Sequence, residues 1–172
     1  MAGKFDANNA QNLVEIEKQF AVKAVEQAQT YWNLLEIMNP RDLKLTKLDD
    51  EIYAHAQSSF PELFVPPYDK LIKLDEEWMK SPQGKERWRV FIESYKDKIQ
   101  DYNFGSLIRT NAEDEYGETN TIFVTRIQFY AFEIARNKLG LNEKAHEIAK
   151  ADAAKEKAKK EKEAKGKKGG KS

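Results

Sequence analysis

The chain has 172 residues, with 29 Lys+Arg balanced by 29 Asp+Glu and no Cys. That is room for one domain with a core, and it excludes disulfides, thiolate metal sites and a cysteine nucleophile. The charge is uneven: residues 1–142 hold 18 basic and 23 acidic side chains, whereas residues 143–172 hold 11 and 6, so only the C-terminal part favours polyanions. No apolar run reaches the roughly 20 residues of a membrane span. The opening MAGKFDANNAQNL has no apolar block of signal type, so a cytoplasmic setting is expected.

From Leu13 to Met38 the residues Leu13, Ile16, Phe20, Ala24, Ala28, Tyr31, Leu35 and Met38 recur at steps of three and four. This spacing predicts one long helix. Asn12 and Glu15 have the spacing of a capping box at its start, and Asn39-Pro40 stops it. A parallel line of Val14, Ala21, Val25 and Trp32 widens the apolar stripe. Thr46 is placed to cap a short helix carrying Leu48, Ile52 and Ala56. Pro61 to Pro67 is turn-rich, and Asp69 is placed to cap one short helix with Leu71, Leu74 and Trp78. Ser81-Pro82 opens another helix, whose aromatic face is Trp88, Phe91, Ile92, Tyr95, Ile99 and Tyr102.

Phe104–Thr110 and Thr121–Thr125 are short β-branched runs around a loop, Asn111–Asn120, with four acids. They predict a β-hairpin. Thr125 and Gln128 form a capping box for a helix over Arg126–Leu139, which Gly140-Leu141 closes. Beyond Ile148 nothing apolar is larger than Ala. The segment from Glu143 to Ser172 is therefore expected to be a solvated charged helix that frays near Gly166 and makes few contacts with the body. The fold class is α+β, a mostly helical single domain (1–142) with one hairpin and a basic tail (143–172). Trp88, Phe91, Tyr95, Phe20 and Ile134 are expected to share the core.

Chemistry-bearing patterns are few. His55 and His146 lie far apart without neighbouring Cys or His and read as structural or solvated imidazoles, His146 on the exposed tail side. No glycine-rich phosphate loop or nucleophile elbow occurs. The acids at Asp49-Asp50-Glu51 and Asp75-Glu76-Glu77 suit helix first turns. Glu113-Asp114-Glu115 sits in the long hairpin loop without the spacing of a calcium loop. No catalytic, cofactor-binding or metal residue is expected. Lys150 to Ser172 has ten Lys against four acids, suited to RNA contact or to plain solubility.

Four stretches carry a resemblance: FAVKAVEQAQTYWNLLE near the start, LKLTKLDDEIY (Leu43–Tyr53), NFGSLIRTNAEDEYGETNTIF (Asn103–Phe123) and TRIQFYAFEIARN (Thr125–Asn137). The chain resembles the eukaryotic polysaccharide biosynthesis domain-containing protein family, its fungal members above all. The resemblance implies a dedicated chaperone of translation elongation factor 1-alpha that engages the nascent GTPase domain before nucleotide binds. It also implies recruitment by the nascent polypeptide-associated complex at the ribosome. It transfers no catalytic residue. Alternatives are an RNA- or ribosome-associated adaptor acting through the tail, or an enzyme of polysaccharide biosynthesis. For client binding the candidates are the acidic loop residues Asp114, Glu115 and Tyr116 with the flanking Arg109 and Arg126, and next Asp49 and Asp50. For recruitment the candidate edge is Leu141, Ala145 and Ile148. A monomer without membrane contact is expected.

Overall fold

The computed structural model describes the backbone of residues 7–169 and the side chains of residues 18–167. Helix α1 runs Ala7–Ile37, so Asn12 lies inside it and does not cap it. Its inner line is Ala24, Ala28, Tyr31 and Leu35, all buried. The two alanines let strand β1 (Gly105–Arg109) pack closely on the helix. Of the expected second line, Ala21 is exposed, Val25 is 57% exposed and Trp32 is half-buried against the core, while the Val14 side chain lies outside the described residues. Phe20, expected in the core, is 50% exposed and meets Phe104 edge-on at 5.8 Å. The stripe is narrower than the sequence suggests because a hairpin edge, not a second helix layer, covers this end.

Asn39 accepts a bond from the Arg41 amide and turns the chain into Pro40–Asp42. Helix α2 is Asp49–Ser59. Its entry is locked by Asp49, whose carboxylate accepts from the Leu45 and Thr46 amides and from Thr46 Oγ, while that hydroxyl accepts from Leu48 N–H. The single helix expected around Leu71 to Trp78 is two, α3 (Asp69–Ile72) and α4 (Glu76–Lys80). They part where the chain pairs with the hairpin loop: Leu74 N–H donates to Thr110 O at 2.9 Å and Ala112 N–H to Ile72 O at 2.8 Å. Asp75, not Asp69, supplies the side-chain cap, at α4. Helix α5 is Pro82–Glu93, capped by Ser81. Gly84 at its first turn lies so close to α4 that a Cβ there would stand 2.0 Å from Trp78 O.

Strand β1 pairs antiparallel with β2 (Thr121–Thr125), Leu107 opposite Phe123. The Thr125–Gln128 capping box opens α6 (Arg126–Lys138). At its end Leu141 N–H donates to Arg136 O at 2.8 Å and Gly140 N–H to Asn137 O at 3.3 Å, with Gly140 at φ +74°. This is the left-handed closure that glycine permits. Helix α6 is buried nearly all round, and aromatic rings of α5 pack on it, Trp88 at 5.2 Å from Phe132 and 4.1 Å from Phe60. The architecture is α+β, mostly helical, with one two-stranded sheet. Among the described residues no helix is long and apolar enough to cross a membrane.

Helix α7 spans Glu143–Gly169 and departs from expectation at its start. Ala145 and Ala149 are buried, and α7 packs on α1. The His146 ring nitrogen Nδ1 is hydrogen-bonded to the Leu35 carbonyl oxygen, so His146 belongs to the body and is not on an exposed side. Alanine suffices here because a small side chain lets two helices approach closely, which a search for large apolar residues misses. From Ala154 outward the described side chains are exposed.

Two stability outcomes follow. Phe91→Ala should lose about 3–5 kcal/mol in a denaturant titration, because the ring is fully buried, while Phe20→Ala should lose less than about 1 kcal/mol. Removing Lys155–Ser172 should leave the Tm unchanged in a thermal melt. Removing Glu143–Ser172 should lower it by roughly 5–10 °C, since packed helix is lost.

Candidate protein-docking groove

The hairpin loop is a built turn. Asn120 donates from Nδ2 to the carbonyls of Asn111 and Glu115, and its Oδ1 accepts from Asn111 N–H at 2.8 Å. Asp114 and Glu115 are exposed, and among the described residues no cation pairs with them or with Glu118. Glu113 pairs with Lys144 of α7 at 3.0 Å.

The two residues proposed as surface anchors of this loop face inward. Arg109 is fully buried. Its Nη1 donates to Ala112 O at 2.7 Å, and its Nη2 to Asn142 Oδ1 at 2.8 Å and to the Glu133 carboxylate at 3.3 Å. Tyr116 is a plug: its hydroxyl donates to Leu107 O at 3.3 Å, its ring meets Trp32 edge-on at 6.1 Å, and the Arg109 guanidinium lies 5.8 Å from its centroid. Burial, then the Glu133 charge, pushes the Tyr116 hydroxyl well above its ordinary pKa. A cation at a strand end is read as solvent-facing by default, and here the loop folds back over it.

Arg109 belongs to a buried polar cluster centred on Glu133. The Glu133 carboxylate also accepts from Tyr31 Oη at 2.6 Å, Arg136 Nη1 at 2.8 Å and Asn142 Nδ2 at 2.9 Å. Arg136 donates onward to the carbonyls of Leu71 at 2.8 Å and Arg109 at 2.9 Å. Burial alone would push the Glu133 carboxyl up, but the charges of Arg109 and Arg136 and the bonds from Tyr31 and Arg136 outweigh it and hold it below the usual carboxylate range. Sequence reasoning missed Glu133, Arg136, Asn137 and Asn142. The available signal was the apolar coverage of α6: with Ile127, Phe129, Ala131, Phe132, Ile134 and Ala135 spread around the helix, its polar residues could not all face water.

The remaining candidates are placed as follows. Arg126 is half-buried, bridging Asp101 at 3.6 Å and Gln27 at 3.3 Å. Asp49 is consumed by the entry to α2. Asp50 is exposed and bonded to Lys138 at 2.7 Å, a bond that, with the Lys138 charge, lowers its pKa. Leu141 and Ile148 are half-buried and Ala145 is fully buried, so the proposed recruiting edge is turned into the body. His55 stacks on Phe91 at 4.5 Å and bonds Tyr95 Oη at 2.9 Å, a structural role in which burial lowers its pKa.

What the structure opens instead is a groove of about 510 Å³ between α1 and the outer face of the hairpin. Val25, Ala28 and Trp32 line one wall and Leu107 and Tyr116 the other, with Glu115 and Glu118 at the rim. The cross-strand partner of Leu107, Phe123, is 60% exposed, and Phe20 and Phe104 form a further exposed aromatic pair. Of the candidates named from sequence, Glu115 and Tyr116 line one end of this groove, and none lies on its α1 wall. The arrangement suits an apolar protein segment with basic neighbours.

The Glu133 cluster sets a pH dependence. Glu133 is held below its unfolded pKa, so its stabilisation is complete above about pH 5 and is lost as pH falls through the lower folded value. Glu133→Gln should cost about 3–5 kcal/mol at neutral pH, as expected when one partner of a buried ion pair is removed. In urea titrations from about pH 6 to 3 it should lose less further stability than the wild type.

The family model described as PBDC1 protein matches residues 16–147. Over 139 residues the chain is 55% identical to Protein PBDC1 homolog of Saccharomyces cerevisiae, covering 81% of this chain and 94% of that protein. Protein PBDC1 of Homo sapiens is 41% identical over 128 residues, 74% of this chain and 52% of the human protein. A solution NMR structure of protein yst0336 from Saccharomyces cerevisiae superposes with a TM-score of 0.72 at 54% identity, covering 83% of this chain and 96% of that chain. With its body matched from α1 to the start of α7, the chain belongs to the PBDC1 protein family.

Proposed function

We propose that this chain is a dedicated co-translational chaperone, not an enzyme, that binds the nascent GTPase domain of translation elongation factor 1-alpha in the cytoplasm and holds it until nucleotide binds. The identity of the client follows the family resemblance. The observation that carries the binding mode is the open groove between α1 and the hairpin, with Val25 and Phe123 exposed and Glu115 and Glu118 at its rim. A GTPase domain without nucleotide exposes apolar switch segments, backbone amides and a lysine that otherwise hold phosphate. The groove offers apolar cover for the first and the acidic rim offers charge complementarity for the second. GTP with magnesium then competes for the same donors, and release becomes nucleotide-dependent by mass action.

Recruitment by the nascent polypeptide-associated complex falls to the outer part of α7, since its first turns are packed on α1. The exposed lysines from Lys155 to Lys167 also favour a second reading, contact of this helix with ribosomal RNA. Removing Lys155–Ser172 should then reduce ribosome association while client binding by the isolated protein persists.

Binding to the purified, nucleotide-free GTPase domain tests the main reading. Val25→Glu and the double reversal Asp114→Lys, Glu115→Lys should each weaken affinity about tenfold or more, and GTP with magnesium should weaken the wild-type complex. Unchanged affinity in both variants would put the docking face elsewhere.

A further inference from the structure

The outer edge of β2 has unsatisfied hydrogen-bonding capacity. Thr110 N–H donates to Asn120 O at 2.9 Å and Arg126 N–H donates to Phe104 O at 2.7 Å, both in the register of the strands. In an antiparallel ladder bonded pairs alternate. The bonded pairs are therefore Ser106 with Val124 and Ile108 with Ile122, and the N–H and C=O groups of Thr121 and Phe123 point away from β1. Among the described residues none of these four groups has a backbone or side-chain partner, and β2 packs chiefly on β1 and on α6, which follows it. The edge has a definite length. Thr125 N–H is closed off by Gln128 Oε1 at 2.9 Å, and the turn Glu118–Asn120 bounds the other end. Natural edge strands are usually blunted by charge, proline or a bulge. This one presents Phe123, 60% exposed, at its centre.

We propose that β2 receives an extended segment of the partner protein as a third strand of the sheet. This deepens the groove reading and rests on it. Main-chain bonds to Thr121 and Phe123 hold the added strand, and its alternate apolar side chains lie beside Phe123, on the same face as Leu107. Charge selects its direction and composition. The end of the added strand beside Thr121 meets Glu115 and Glu118, which no described cation neutralises, so that end carries lysine or arginine.

Proline at position 123 removes the outward N–H without touching the bonds to β1, a place where edge strands tolerate it. Affinity for the nucleotide-free GTPase domain is compared between Phe123→Ala, which loses only the ring, and Phe123→Pro, with circular dichroism as the check on folding. The proline variant should bind at least about tenfold more weakly than the alanine variant. In the wild type, amide exchange at Thr121 and Phe123 should slow at least about tenfold on complex formation. Equal affinities, or exchange unchanged at both amides, overturn strand addition. If Val25→Glu still weakens binding in that case, groove docking stands without it. A concentration-dependent dimer in light scattering that Phe123→Pro abolishes would make a second copy the occupant, and would also overturn the proposal.

Discussion

Four segments of this fold converge on one carboxylate. Glu133 takes hydrogen bonds from α1 through Tyr31, from the hairpin through Arg109, from its own helix through Arg136 and from the start of α7 through Asn142. Two buried guanidiniums against one carboxylate leave the cluster with an excess positive charge. Such a group is expensive to desolvate, and its contribution to stability against an apolar core of the same shape is small. Its effect lies in geometry. Arg136 reaches the carbonyls of Leu71, Arg109 and Thr110, so the α3–α4 break and the hairpin loop are both held to α6. The carbonyl bonds to Arg109 and Arg136 spread the excess charge over backbone dipoles.

The groove is a consequence of the same constraint. Arg109 lies 5.8 Å from the centroids of both Trp32 and Tyr116, so one buried cation positions an aromatic from each wall. Tyr116 then closes the inner end while its neighbours Glu115 and Gly117 stay at the surface. The loop is long because it must turn inward to deliver Tyr116 and outward again to meet β2. A solvated acidic loop would not need the Asn111–Asn120 and Asn120–Glu115 bonds that pin it.

Much of the frame was legible in the residues alone. Local rules held at Ser81-Pro82, the Thr125–Gln128 box and Gly140, each of which behaves as its chemistry requires, and failed at Asn12 and Asp69. The hairpin and α6 were found to within a residue or two. What was not legible is long-range. Arg109, Arg136 and Glu133 look like surface charges because charged residues mostly are. Their burial follows only once α6 is seen to be covered on every side. Ala145 and Ala149 look like helix filler because an alanine contact needs no large side chain. Phe20 looked like core by period, and its exposure reflects which element lies opposite it, a matter of topology. The Arg109 and Tyr116 placements failed together for one reason: an anchor residue at an interface and an anchor residue inside a loop have the same composition.

An exposed apolar groove beside an open strand edge is a route to self-association. The charge around it limits that route. Two copies meeting groove to groove would bring Asp114, Glu115 and Glu118 of one against the same residues of the other, a repulsion that acts within a Debye length of about 8 Å at physiological salt. A basic partner meets the opposite sign. On the proposed reading the same carboxylates attract a basic partner and repel the acidic rim of another copy, a common route to specificity without added contact area. Helix α1 ties this surface to the base of α7. Ala24 and Ala28 face the hairpin, and Leu35 holds His146 at the base of α7. One helix thus links the acidic groove to the base of the lysine-rich helix, whose first lysine, Lys144, already pairs with Glu113 of the hairpin loop.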